Sequence, residues 1–109
     1  MLELRIKDKD LKEMGGERHL ATRLMAIIPQ LNEPRFELPH HQEHSRTWDL
    51  DEGHNYSLSF HGQDEDGLRI YRLGYHYGFR KELLDALKIV IVAAFMGLVE
   101  VSEPNGGGE

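Results

Sequence analysis

Hydrophobic and polar residues change their spacing several times along this 109-residue chain, and each change marks an element. Leu2, Leu4 and Ile6 alternate with Glu3, Arg5 and Lys7, the period of a strand with one buried face. Residues 10–14 can close one helical turn, which Gly15 and Gly16 end. From Glu17 onward, Leu20, Leu24, Ile27 and Ile28 recur at spacings of three and four, which predicts an amphipathic helix. Pro29 stops it, because proline lacks a backbone donor and pushes the preceding residue toward extended geometry.

Pro29, Pro34 and Pro39 break up residues 29–54. Two short alternating runs there, 35–38 and 46–50, are candidate strands, with Trp48 as a core anchor. Tyr56, Leu58 and Phe60 then alternate with Ser57, Ser59 and His61, the polar run 62–67 reads as a hairpin loop, and residues 68–77 return as a strand. Within that return strand Leu68 and Ile70 share one face, while Tyr71, Leu73, Tyr75 and Tyr77 share the other. Either both faces are covered or a bulge shifts the register, and Gly74 is the expected place for one.

Gly78 ends the strand, and residues 79–82 open a last helix in which Leu83, Leu84, Leu87, Ile91, Ala94, Phe95 and Leu98 keep helical spacing. From Ile89 to Val99 there is no charged or hydrogen-bonding side chain. A helix apolar on every side must be buried on every side. Eleven residues fall far short of the ~20 that cross a bilayer. A central helix or a subunit interface is therefore expected, with Ile89, Val92, Phe95 and Met96 as the interface residues. The β-branched run 89–92 also suits a strand. Gly97 is the expected residue just past the helix, before a short strand at 98–101.

These elements make an α+β fold, an antiparallel sheet of three to five strands with two helices on one face. The order strand, helix, hairpin, helix, strand fits the split βαβ (ferredoxin-like, βαββαβ) arrangement, a shape that hosts many unrelated functions. The alternative is an N-terminal helix, a β-meander over 35–77 and a C-terminal helix. One domain is expected over 1–103, with a disordered glycine-rich tail over 104–109.

Composition narrows the function. The chain is 39% hydrophobic and 29% charged, as folded domains are. Nineteen acidic against thirteen basic residues give a net charge of −6, which disfavours phosphate-binding surfaces. With no cysteine there is no disulfide, thiolate metal site or thiol nucleophile. The first seven residues alternate charge with hydrophobe and form no apolar signal segment, so a cytoplasmic location without membrane contact is expected.

Six of the seven histidines lie between His40 and His76, and His40, His41 and His44 fall within five positions. Neutral imidazole binds zinc, nickel and copper. On a short helix begun by Pro39, His40 and His44 would face the same way. The order His-His-Gln-Glu-His is not the His-Glu-x-x-His of zinc hydrolases. No cofactor is expected, with a transition metal such as zinc or nickel as the alternative. Asp64-Glu65-Asp66-Gly67 is an acidic turn rather than a calcium loop, because Gly62 and Leu73 occupy the terminal coordinating positions.

Tyr71, Tyr75 and Tyr77 beside Arg69 and Arg72 have the composition of a sheet face that stacks single-stranded nucleic acid, a reading the net charge opposes. Ser57, Ser59 and His61 share a strand face, yet no nucleophile elbow, oxyanion motif or phosphate loop accompanies them. The expected function is a non-enzymatic protein-interaction or regulatory module, a homodimer whose partners are its own second copy and an unidentified protein. A metal-binding protein and a single-stranded nucleic-acid binder are the alternatives.

Overall fold

A computed structural model describes residues 1–28, 47–50, 56–76 and 78–104. Along them run β1 (Leu2–Lys7), α1 (Asp8–Met14), α2 (Glu17–Ile27), β2 (Thr47–Asp49), β3 (Tyr56–Gln63), β4 (Leu68–Tyr75), α3 (Lys81–Ala94) and β5 (Val99–Ser102). The strands form one antiparallel sheet in the order β2-β3-β4-β1-β5, so the fold is α+β. The chain leaving β1 through α1 and α2 returns beyond β4, and the chain leaving β4 through α3 returns beyond β1. Among the described strands the α3 connection skips one strand, β1, whereas the chain leaving β1 next enters the sheet at β2, with β4 and β3 between them. The candidate strand at 35–38, the histidines at 40, 41 and 44, Tyr77 and the chain from 105 onward lie outside the described residues.

Register decides which face is core. Leu2 pairs with Leu73, Leu4 with Tyr71, and Leu58 continues the row opposite Leu73. On the other side of β1, Ile6 faces Val99. Against this face the helices bury Leu11 of α1, Leu20 and Leu24 of α2, and Leu87 and Ile91 of α3 in one cluster. The alternate residues turn away, and successive registers line up Thr47, Ser59, Arg72, Glu3 and Ser102 across all five strands.

Among the described residues three helices stand where two were expected, because Gly15 and Gly16 split the first helical region and the turn before them extends back to Asp8. The Gly15 amide donates to Lys12 O at 3.2 Å and the Gly16 amide to Leu11 O at 2.8 Å, the two bonds of a Schellman motif. At the far end of α2, Ile28 is extended (φ −77°, ψ 114°), as the following proline requires.

The bulge falls elsewhere than expected. It lies in β3 between Phe60 and Gln63, and Gly74 stays in regular register opposite Ser57. A Cβ at Gly74 would sit 3.2 Å from the Ser57 hydroxyl oxygen, so glycine serves close strand packing there. The bulge carries β3 on to Gln63 and shortens the hairpin loop, where the Asp64 carboxylate accepts the amides of Asp66 and Leu68, both at 2.9 Å.

Candidate functional site

The last helix is buried along one stripe only. Leu87, Ile91 and Phe95, four residues apart, enter the core, with Leu83, Leu84 and Ala94 partly buried beside them. The outer side carries Ala86, Ile89, Val92 and Ala93, all exposed, and Ile89 keeps 71% of its surface in water. The expectation of a helix enclosed on every side within this fold is corrected: the monomer covers half of it. Phe95 also leaves the interface set, being only 3% exposed, while Ile89, Val92 and Met96 are exposed. Lys88, Ile89, Val92 and Ala93 line a shallow apolar depression on this outer side. Lys88 is engaged by the Glu103 carboxylate, which its ammonium holds below the ordinary carboxylate range.

The helix ends in a turn that pushes a side chain outward. The Met96 amide donates to Ala93 O at 3.1 Å and the Gly97 amide to Val92 O at 2.9 Å, again a Schellman motif. The first left-handed position falls on Met96 (φ 53°), and the expected Gly97 beside it has positive φ as well (78°). Met96 is the one non-glycine residue with positive φ among the described residues, and it is 83% exposed. Left-handed geometry costs an L-residue about 1–2 kcal/mol.

Arg23 of α2 steadies this turn. Its guanidinium donates to Ala94 O at 2.9 Å and lies 5.8 Å from the centre of the Phe95 ring, offsetting negative charge at the helix end. Beside it is a cleft of about 70 Å³ reached by Met14, His19, Met96 and Leu98.

The sheet face turned away from the helices is polar and internally neutralised. Glu3, 6% exposed, accepts two bonds from the Arg5 guanidinium, at 2.7 and 3.1 Å, and lies 3.4 Å from Arg72 Nε. Arg5 also donates to Asp64 at 3.0 Å. His61 and the Ser59 hydroxyl are 2.8 Å apart. Burial and then the Arg72 charge lower the His61 pKa, with Glu3 opposing, so this imidazole favours its neutral form. Two carboxylates and two guanidiniums balance in charge here, which leaves little net charge to attract a ligand, although the buried Arg72 Nε makes no hydrogen bond.

Tyr71 and Tyr75, two of the tyrosines proposed to stack bases, sit on the opposite face, under the helices. Tyr71 is fully buried and its hydroxyl donates to Glu17 at 2.5 Å. Burial first, then Glu17, raises its pKa far above the ordinary tyrosine value, so it stays a donor. Tyr75 stacks on Tyr56 with ring centres 4.4 Å apart, beside Phe79. Arg69 donates to Asp8 at 2.6 Å and lies 3.5 Å from Glu17, whereas Arg72 belongs to the polar face. The base-stacking assignment of Tyr71 with Arg72 is corrected: alternation groups residues by face, and pairing with Leu2 and Leu4 made the tyrosine face the core.

Among the described residues no three histidine, aspartate or glutamate side chains converge on a possible metal position, and no helix is long and apolar enough to cross a membrane. Comparison of the chain with protein families, curated proteins and solved structures gives no match. Sequence reasoning missed Arg23 and the Glu3–Arg72 row. The row was available in principle, since alternation places Glu3, Arg5 and Arg72 on one side once strand order is known. Arg23 carried no signal of its role.

Proposed function

We propose that the chain is a non-enzymatic protein-interaction module that works as a homodimer through the outer side of α3. One observation carries this: the helix leaves Ile89 71% exposed, with Val92 exposed beside it and Met96 a further turn on. Isoleucine and valine at exposed helical positions lower helix propensity as well as exposing apolar surface. In a monomer both effects are unfavourable, and both are offset when the face is covered. Covering a large apolar side chain contributes about 1.5–3 kcal/mol. Among the described strands, those at the ends of the sheet order, β2 and β5, are three and four residues long and offer less to a partner.

Sedimentation equilibrium at micromolar concentration tests the reading. The wild-type chain sediments as a dimer, and Ile89→Glu sediments as a monomer with the same circular dichroism. A wild-type chain monomeric at every concentration overturns it.

A further inference from the structure

Resting on that reading, we infer that the partner is a second copy docked with α3 antiparallel to α3 about a two-fold axis near Ile91, with Met96 held outward as a knob for a shallow hole over the partner's Ala86. The outer seam alternates small and large residues, Ala86, Ile89, Ala93, Met96, at spacings of three, four and three. All four are exposed. In an antiparallel pair centred on residue 91, position 96 meets 86 and position 89 meets 93. Each large side chain then faces an alanine, twice over by symmetry, as interdigitating helices require. A parallel pair would set Ile89 on Ile89 and Met96 on Met96, large against large.

Charge agrees with the antiparallel choice. Asp85, half-exposed, would meet the partner at the level of its C-terminal turn, where Arg23 bonds Ala94 O. Among the described residues its nearest cations, Lys81 and Lys88, stand 3.6 and 4.0 Å away, so the carboxylate keeps capacity for a further partner. The backbone supplies an independent observation. Glycine would occupy the left-handed position without strain, yet methionine stands there with its side chain in water. The turn is accordingly shaped for what it displays.

Two substitutions give the test. Met96→Gly relieves the backbone and removes the knob, so the monomer should melt roughly a few degrees higher while the dimer dissociation constant weakens about tenfold or more. A merely structural methionine would not separate these two readouts. Because the chain has no cysteine, single introduced cysteines report register cleanly. Mixed Ala86→Cys and Met96→Cys chains should form a disulfide-linked heterodimer under mild oxidation. Ala86→Cys alone should not self-link, since ten residues of helix separate the two copies by ~15 Å, beyond the ~7 Å a disulfide spans.

Self-linking by Ala86→Cys, or a Met96→Gly chain that associates as tightly as wild type, overturns the inference while leaving an Ile89-dependent dimer standing. A wild-type chain that never dimerises overturns both.

Discussion

Helices α1 and α3 finish with the same pair of backbone hydrogen bonds and with different residues at the left-handed position. At the end of α1 that residue is Gly15, with φ 119°, well outside the narrow left-handed well open to L-residues. A Cβ there would also stand 3.1 Å from the Cβ of His19, so both conformation and room demand glycine. At the end of α3 it is Met96, with φ 53°, inside that well, and the side chain points into water. One turn faces the next helix, where a Cβ would crowd His19. The other faces outward and is occupied by a residue whose backbone cost only an external contact would offset. Identical hydrogen bonding therefore serves chain reversal in one place and display in the other.

The sharpest break in this contrast lies between adjacent residues. Phe95→Ala should cost about 3–5 kcal/mol, because the ring fills the core under α3. Met96→Ala should change monomer stability by less than ~0.5 kcal/mol, since its side chain is 83% exposed. Urea denaturation at concentrations low enough to keep the chain monomeric checks both. Next in size, Gly15→Ala should destabilise by about 1–3 kcal/mol, from strained φ and the His19 contact together. Equal costs for alanine at positions 15 and 96 would erase the distinction between the two turns.

The sheet was legible because its strands carry strict alternation. β1, β3 and β4 are readable from Leu2-Leu4-Ile6, Tyr56-Leu58-Phe60 and Leu68 onward, and even three-residue β2 lies within the run 46–50. What alternation cannot supply is the identity of the buried face, which depends on the neighbouring strand. That is why base stacking by Tyr71 and Tyr75 stands as an alternative on the sequence, although both pack into the core beneath the helices. The bulge was misplaced for a related reason. Glycine permits both bulging and close packing, and only the Ser57 contact shows which one Gly74 serves.

In α3 the apolar run was plain, but composition alone could not tell a helix enclosed within its own fold from one half covered. Of the expected interface residues Ile89, Val92 and Met96 are exposed, whereas Phe95 falls on the Leu87–Ile91 stripe in the core. The left-handed Met96 was invisible for a different reason. Gly97, one position later, is the better sequence candidate for a helix stop, and the final turn ends one residue earlier than propensity suggests.

The smallest expected effect separates how the two helices are held. The end of α3 is tied by Arg23 to a backbone carbonyl, an acceptor that does not titrate. The start of α1 is tied through a carboxylate: Lys12 lies 3.0 Å from Asp8 Oδ2, and Arg69 donates to Asp8 Oδ1 at 2.6 Å. Lys12 foremost, with Arg69 adding and partial desolvation opposing, holds the Asp8 pKa below the ordinary value of 3.8. A carboxylate depressed in the folded state stabilises fully above its unfolded pKa, and that contribution is lost as pH falls through 3.8 toward the lower folded value. Amide hydrogen exchange in α1 should thus accelerate as pH drops through that window, after correction for intrinsic exchange rates, while the Met96 and Gly97 amides keep their protection. Asp8→Asn should flatten the α1 response and leave the α3 turn unchanged. Because Asp8 is solvent-accessible the change is small, and salt should shrink it further. An α3 turn that loosens in step with α1 would mean that the two ends open as one unit, and the separate display role assigned to Met96 would lose its structural basis.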